Sequence, residues 1–237
     1  MRTKSFLFLI IIFLSISCIK QDKTVKVLQV PGKDQYCEIN ENGISVLPSG
    51  RYATPVGEFM RITHDPFGMA VSPNGEKAVT LHNGVFTILD LQSFEVIRIP
   101  SYDGKIISPL SNGSFLGVAF SDDSRVVYLS GGDNGAVIVY DIEKLVRLDS
   151  ISLNGKINDV DYQDSFTSDL VMNSNENELL VLDRGNFRLV RIDLSTRKPT
   201  ASVQVGRQPF GLALSPDKKQ AFVANVGVYS YPLIEGA

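Results

Sequence analysis

The sequence has few of the residues that most often carry metal, redox or nucleophilic chemistry. Only two cysteines and two histidines occur among its 237 residues, and the HExxH and CxxC motifs are absent. The GxSxG, GxGxxG and P-loop motifs are absent as well, so the common signatures of serine hydrolases, dinucleotide-binding proteins and nucleoside triphosphatases are missing. We therefore expect no catalytic residue, no bound metal and no cofactor, and a binding role before an enzymatic one.

Runs of basic residues and long apolar runs are also lacking. Lys and Arg number 23 against 26 Asp and Glu, which gives a net charge of −3 with both signs mixed along the chain. This is not the charge pattern of a nucleic-acid-binding surface, so no nucleic-acid partner is expected. The apolar run "FLFLIIIFL" at residues 6–14 is too short to cross a bilayer of about 30 Å as a helix.

A secretion signal is the interpretation that the first residues favour. Two basic residues precede the apolar run, small residues follow it, and Cys18 comes next. The ending "LSISC" resembles the signal of bacterial lipoproteins, in which the cysteine becomes a lipid-modified N-terminus. The resemblance implies lipid anchoring at Cys18 in the bacterial cell envelope, facing the periplasm or the cell surface. A plain secretory signal and an uncleaved anchor are the alternatives. The predicted organisation is a signal peptide at residues 1–17, a polar tether at 18–33 and a folded domain at 34–237.

An internal repeat dominates the rest of the chain. The octapeptide "PFGMAVSP" at residues 66–73 returns as "PFGLALSP" at residues 209–216. Between them, an "LDL", "YDI" or "IDL" signature places an aspartate at Asp90, Asp141 and Asp193, roughly every 50 residues. Three units and the opening of a fourth can be aligned in this way. One structural unit is therefore used several times.

Each unit divides into four short strands joined by turns. The second unit predicts strands at residues 116–120, 126–130, 136–141 and 148–153, each rich in β-branched or aromatic residues. "SPNG" has the residues of a type I turn, and "HNGV" those of a two-residue hairpin, a device that "GDNGA" is expected to repeat. Helical periodicity is confined to residues 142–148. Four strands per unit and a constant period predict an all-β fold, a β-propeller of four-stranded blades with about 3.5 blades in this sequence.

One stretch resembles a known family. "VGRQPFGLALSPDKKQAFVAN" at residues 205–225 is similar to the YVTN-type, YncE-like repeat of bacterial propellers, whose pattern is VGxxPxGxAxSPDGxxxYVAN. The sequence departs from it at Lys218 and Phe222, where the family has Gly and Tyr. Such propellers usually close with seven blades, so the resemblance implies that this sequence holds part of a propeller, incomplete at its C-terminus. A longer stretch, "THDPFGMAVSPNGEKAVTLHNGVFTILD" at residues 63–90, is similar to bacterial lipoproteins that fuse such a propeller to an alkaline-phosphatase-like phosphoesterase.

The topology of a blade predicts where a ligand would bind. Successive strands alternate in direction, so the segment leading into the first strand and the turn between the second and third strands emerge on the same face. We name this the lead-in face. Arg207 there offers a planar fork to a carboxylate or phosphate, and two histidines are too few for a zinc site, which favours hydrogen bonding at His64 and His82. The candidate ligand-binding residues are His64, Asp65, His82, Asn83, Ser114, Asp133, Asn134, Asp183, Arg184, Arg207 and Asn225.

Three functions follow from this sequence and stay open at this point. The first is an exported, lipid-anchored propeller that binds a small molecule or a protein on the lead-in face. The second is the propeller part of a hydrolase, either a phosphoesterase fusion or a lactonase-like enzyme, and it rests on the family resemblance alone. The third is a structural or adhesion protein of the cell surface. The missing catalytic motifs favour the first.

Overall fold

The protein is described by a computed structural model, which covers residues 28–40, 43–157 and 159–227. The predicted signal peptide, Cys18 and most of the tether lie outside the described residues. Every regular element in the described part is a β-strand, and the predicted helical segment at 142–148 is instead a turn followed by a strand. No helix of a length and apolarity able to cross a membrane occurs in this part. The chain divides into two compact units, Met1–Phe59 and Met60–Ala237.

The first unit contains one short hairpin in its described residues. Strands β1 (Ser45–Val46) and β2 (Tyr52–Ala53) pair antiparallel, and Glu38 forms an isolated bridge with Val46. Hydrogen bonds between backbone groups close the turn, with the Leu47 amide donating to the Arg51 carbonyl at 2.8 Å. Most side chains here are exposed, so this unit buries little apolar surface.

The second unit contains three four-stranded antiparallel sheets, one two-stranded sheet and an inserted hairpin. In each four-stranded sheet, the strands pair in chain order, so each sheet is a meander. The first sheet comprises β3 (Met69–Val71), β4 (Lys77–Leu81), β5 (Phe86–Asp90) and β6 (Val96–Ile99). The second comprises β7 (Val118–Phe120), β8 (Val126–Ser130), β9 (Ala136–Asp141) and β10 (Val146–Ser152). The hairpin follows, with β11 (Gly155–Ile157) and β12 (Val160–Tyr162). The third sheet comprises β13 (Thr167–Asn173), β14 (Glu178–Asp183), β15 (Arg188–Asp193) and β16 (Lys198–Gln204), and the last comprises β17 (Pro209–Leu214) and β18 (Ala221–Asn225).

This arrangement is that of a β-propeller with about 3.5 four-stranded blades, as the repeat predicts. The middle strands are the most buried, and all six residues of β9 are buried. Two apolar clusters fill the spaces between the sheets, one between the first and second blades and one between the second and third. In the first cluster, the rings of Phe86 and Tyr140 meet edge to face with centroids 5.0 Å apart. The blades thus stack face to face through aliphatic and aromatic side chains.

Repeated glycines in the first strands allow neighbouring blades to approach closely. The Gly68 amide donates to the Phe115 carbonyl at 2.8 Å, and the Gly117 amide to the Ser168 carbonyl at 2.9 Å. A Cβ at Gly68 would lie 2.1 Å from the Leu116 carbonyl oxygen, so no other residue fits. At Gly211 in β17, the nearest atom to such a Cβ is 3.7 Å away, because no described blade follows the fourth sheet. The repeated glycine therefore serves blade-to-blade contact, not a turn.

The turns between first and second strands repeat one set of hydrogen bonds. In three of the four blades, a serine hydroxyl donates at 2.6 Å to the side-chain oxygen two residues later and accepts from a backbone amide five residues later. We name the end of the blades that carries these turns the Ser-turn face. The serines are Ser72, Ser121 and Ser215.

The two predicted hairpin turns differ in the structure. Asn83 and Gly84 both have positive φ, 57° and 83°, which is the type I′ turn expected of "HNGV". In "GDNGA", the residues with positive φ are Gly132 and Gly135, so the prediction that this turn repeats the Asn-Gly device is wrong. The Asn134 side-chain oxygen instead accepts a hydrogen bond from the Ala136 amide at 3.0 Å. Because glycines lie on both sides of Asp133 and Asn134, the positive φ angles of this turn fall on Gly132 and Gly135 instead of on Asn134.

Candidate functional site

The lead-in segments and the turns between second and third strands contact one another, as the blade topology requires. The Gly113 amide donates to the Asn83 side-chain oxygen at 2.7 Å, and the Asp133 amide donates to the Asn112 carbonyl at 3.1 Å. In the third and fourth blades, the Arg184 Nε donates to the Gln208 Oε1 at 2.6 Å. Residues from distant parts of the sequence therefore form one surface, the lead-in face.

Two of the predicted residues are buried and serve the fold. Ser114 is fully inaccessible, and its hydroxyl donates to the Ser111 carbonyl while accepting from the Gly84 amide at 2.8 Å. His82 is 1% exposed, and its Nδ1 donates to the His64 carbonyl at 2.8 Å. The Nε2 of His82 therefore accepts from the Thr80 hydroxyl at 2.7 Å. Burial lowers the pKa of His82, so the ring is neutral at neutral pH.

Asp183 is also buried, as one half of an internal ion pair. Its Oδ2 accepts from the Arg188 Nε at 2.8 Å, and both side chains are at most 1% exposed. Its Oδ1 accepts from the backbone amides of Phe166, Gly185 and Asn186. The Arg188 guanidinium in turn lies over the Tyr162 ring at 3.5 Å and donates to the Leu153 carbonyl at 2.6 Å. The pair thus attaches the inserted hairpin to the third blade, and no surface remains on Asp183 for a ligand.

Five other predicted residues are exposed and lie near their own turns. The His64 ring contacts the Asp65 carboxylate at 3.2 Å, with both side chains more than 70% exposed. Asp133 and Asn134 project from the turn of the second blade. The Asn225 amide nitrogen donates to the Val223 carbonyl at 3.3 Å. These contacts are local to each turn and bring no two of the four blades together.

Arg184 and Arg207 differ from the other predicted residues of the lead-in face, because each is a cation that lies over an aromatic ring. Each guanidinium lies over an aromatic ring at 5.8 Å from its centroid, Arg184 over Phe166 and Arg207 over Phe187. Within the described residues, neither arginine forms an ion pair with a carboxylate. A hollow of about 310 Å³ lies beside them, lined by both phenylalanines, Arg184 and Gln208. Two cations held on aromatic rings next to an open hollow make an anion-binding arrangement.

Phe166 and Phe187 are not among the residues that the sequence predicts for the lead-in face, whereas Gln208 follows Arg207 in a predicted lead-in segment. Phe166 lies in the lead-in segment of the third blade, where the repeat has lost its "PFG" pattern, so alignment with the other units did not indicate it. Phe187 and Gln208 both have positive φ, 51° and 53°, which fixes the direction of their side chains. Their proximity to the arginines depends on the packing of two neighbouring blades. No local pattern carries that information.

Metal binding has no candidate in the part of the chain that the structure describes. No group of three or more His, Cys, Asp or Glu side chains lies close enough together there to hold an ion. Cys37 is exposed and free. The lead-in face therefore offers hydrogen-bond donors and positive charge as its chemistry.

Comparison with known proteins supports the fold and goes no further. No family model matches the chain, and no curated protein matches it. Among solved structures, it is similar to hydrazine synthase of Kuenenia stuttgartiensis, with a TM-score of 0.53 and 17% identity over 71% of this chain and 46% of that one. It is also similar to U3-55K, with a TM-score of 0.50 and 11% identity over 65% of this chain and 43% of that one. Both contain β-propellers, and this chain spans less than half of the length of either.

Proposed function

We propose that this chain is an exported, lipid-anchored β-propeller of the YVTN type that binds an anionic group, a carboxylate or a phosphate, on its lead-in face. The observation that carries the proposal is the pair of arginines, Arg184 and Arg207, which no described carboxylate neutralises. The ligand is a small molecule or a protein side chain that bears such a group. The similarity of residues 205–225 to the YVTN repeat supports the family assignment.

The geometry of Arg184 supports a role in binding. The Nε bond to Gln208 uses one of the five N–H donors of the guanidinium and holds the group in one orientation. The ring of Phe166 beneath it supports the cation without adding a negative charge. Within the described residues, the other guanidinium donors of Arg184 make no hydrogen bond, and Arg184 lines the adjacent hollow. A preorganised fork of this kind loses little rotamer entropy when it binds an anion.

Three exposed arginines of the second unit differ from this pair. Arg125, Arg191 and Arg197 each lie within 4 Å of an acidic side chain, Glu143, Glu178 and Asp149 respectively. Exposed pairs of this kind contribute little to stability, but they do neutralise the local charge. An anion therefore meets uncompensated positive charge at Arg184 and Arg207, and compensated charge at the other three.

The proposal is tested with glutarate and inorganic phosphate as probes, and with neutral glutaramide as the uncharged analogue. Titrations of the full chain are followed by NMR at the arginine Nε–H resonances. We expect both anions to shift the Arg184 and Arg207 signals, and glutaramide to leave them unmoved. Arg184→Gln and Arg207→Gln should each weaken anion binding about 10-fold, because each removes charge-assisted hydrogen bonds.

Arg125→Gln is the matched control, since Arg125 is 53% exposed and lies at the Ser-turn face. All three variants should melt within about 2 °C of the parent protein, because surface substitutions change stability little. Equal loss of anion binding in Arg125→Gln, or no loss in the other two variants, would contradict the proposal. A preference for phosphate over glutarate would indicate which of the two anionic groups the site favours.

The anchoring half of the proposal rests on Cys18 and the residues before it. Two acyl signals give stable membrane attachment where a single chain gives only marginal binding. The mature protein should therefore fractionate with membranes, and Cys18→Ser should release it or leave it unprocessed. Mass spectrometry of the mature N-terminus measures this directly. A start at an unmodified residue would overturn the anchor and leave the lead-in site untouched.

A further inference from the structure

A second concave surface lies away from the lead-in residues, between the first and second blades. It is a groove of about 530 Å³, lined by residues 105–111 of the long segment between the blades and by the turn and strand start at residues 145–147. Tyr140 of β9 forms part of its wall. The volume falls in the range of small-molecule sites, about 300–1,000 Å³.

The apolar walls of this groove continue the core. Ile106, Leu110 and Leu145 are partly buried and pack on the cluster that fills the space between the first two blades. The 101–106 segment is itself held in place, because the Ser101 hydroxyl accepts from the Ile106 amide at 2.9 Å and donates to the Asp103 carboxylate at 2.6 Å. The groove is therefore a preformed feature of the packed interface, and it presents aliphatic surface to a ligand.

The Tyr140 hydroxyl is an unsatisfied polar group in this wall. Tyr140 is 1% exposed, and its hydroxyl is one of four buried side-chain atoms in the described residues that lack a hydrogen-bond partner. Burial raises the pKa of Tyr140 to about 12, so the hydroxyl stays protonated and available as a donor. Buried hydroxyls in native proteins nearly always have a partner, which makes an exception informative. A ligand acceptor would supply the missing partner.

The charged residues that line the groove are both basic, Lys105 and Arg147. Arg147 is exposed, and no described carboxylate lies within ion-pair distance of it. Lys105 is paired with Asp103 at 2.9 Å, and no residue of the groove lining is acidic. A ligand that enters therefore meets a cation at the rim, aliphatic walls and one hydroxyl donor.

We propose that this groove is a second binding site, distinct from the lead-in face, for a small amphipathic anion: a short apolar body that carries one carboxylate or comparable anionic group. The apolar body contacts Ile106, Leu110 and Leu145. The anionic group pairs with Arg147, and an acceptor oxygen of the ligand receives the Tyr140 hydroxyl hydrogen bond.

The test uses three probes of equal length, 4-phenylbutanoate, 4-phenylbutanol and 4-phenylbutylamine, titrated into the full chain and followed by saturation-transfer NMR. The anion should bind about 10-fold more tightly than the amine, with the alcohol between them. Arg147→Gln should weaken binding of the anion about 10-fold and change binding of the alcohol by less than about 2-fold. Tyr140→Phe should weaken binding of the anion about 5-fold, because it removes the hydroxyl donor.

Melting temperature separates a binding role of Tyr140 from a structural one. Because its hydroxyl has no partner, Tyr140→Phe should melt at the same temperature as the parent protein or higher. Tyr128→Phe, in the neighbouring strand of the same sheet, and Arg125→Gln are the matched controls and should not change anion binding. Arg207→Gln should also leave it unchanged, which keeps this site separate from the lead-in site.

Three results would overturn the proposal. One is equal binding of the amine and the anion, and another is unchanged anion binding in Arg147→Gln and Tyr140→Phe. The third is a lower melting temperature of Tyr140→Phe than of Tyr128→Phe, which would show that the hydroxyl supports the fold.

Discussion

The two ends of the blades use polar residues in opposite ways. At the Ser-turn face, Ser72, Ser121 and Ser215 make the same hydrogen bonds within their own turns, with the same 2.6 Å distance in each. The "SYDGKI" segment repeats this turn a fourth time around Ser101. At the lead-in face, the contacts of the polar side chains differ from blade to blade. His82 is buried against threonines, Asp183 pairs with an arginine, and Arg184 lies over a ring.

This difference separates structural residues from candidate functional ones. A contact that recurs from blade to blade serves a structural requirement of the repeated unit, such as closing a turn. A side chain that occurs in one blade, and that leaves charge unneutralised, has no such explanation. By this criterion, the serines and the repeated aspartates are structural, and Arg184 and Arg207 are the residues to test for binding.

The strongest test of the comparison contrasts two aspartates in similar turns. Asp183 and Asp193 each accept backbone amides of the turn that follows, but only Asp183 also neutralises a buried arginine. Asp183→Ala should lower the free energy of unfolding by about 3–5 kcal/mol, because it leaves the Arg188 charge buried and unpaired. Asp193→Ala should have a much smaller effect. Urea unfolding measures both, and equal effects would show that the turn bonds, not the ion pair, dominate at Asp183.

The second test uses pH and contrasts two histidines of one blade. Burial lowers the pKa of His82 in the folded state, so the unfolded chain takes up this proton first as pH falls. His82 therefore does not lower the free energy of unfolding above about pH 6.5. Below that pH, its titration lowers the free energy of unfolding by at most about 1.4 kcal/mol per pH unit. His82→Gln should remove this part of the decline between pH 7 and pH 5.5 in thermal melts. His64→Gln, at an exposed side chain, should leave it in place, and the reverse result would contradict the assignment.

The smallest expected effects concern the Ser-turn face, where one backbone position has positive φ in every copy. Glycine holds it at Gly75, with φ of 73°, but Ser124 and Lys218 hold it at 62° and 57°. Gly75→Ala should destabilise by about 1 kcal/mol through backbone strain alone, since an added Cβ meets nothing within 4 Å. Lys218→Gly should stabilise by about 0.5 kcal/mol. Ser124→Gly should not stabilise, because it also removes the hydrogen bond that the Ser124 hydroxyl accepts from the Asn74 amide at 3.1 Å. Thermal denaturation resolves these changes, and destabilisation by Lys218→Gly would indicate that the lysine side chain supports the turn.

The sequence predicted the fold well because the fold is local and repeated. The strands of the second blade were expected at residues 116–120, 126–130, 136–141 and 148–153, and β7 to β10 cover these segments with small shifts at their ends. Alternating apolar residues, Asn-Gly and Ser-Pro turns act within a few positions, so they can be read directly from the chain. Two local predictions failed: the "GDNGA" turn, and residues 142–148, whose helical spacing covers too short a stretch to compete with strand pairing.

The lead-in site was predicted only in outline. Blade topology predicted which loops share the lead-in face, but it did not distinguish Ser114, His82 and Asp183, which are buried, from Arg184 and Arg207, which are not. Burial depends on what neighbouring blades place above a side chain, and that follows from packing between residues far apart in sequence. The roles of Phe166 and Phe187 as supports for the arginines were missed for the same reason.

By itself, the sequence determined an all-β chain of repeated four-stranded units, the closing of its turns, and a charge pattern of mixed sign without basic runs. These properties follow from short-range backbone preferences and from composition, which do not depend on the neighbours of a residue in space. The tertiary structure alone decided which polar groups are neutralised and which remain unpaired, as at Asp183 and Arg188 on one side and Arg207 and the Tyr140 hydroxyl on the other. Charge and hydrogen-bond balance are properties of contacts across the blades, and only packing creates those contacts.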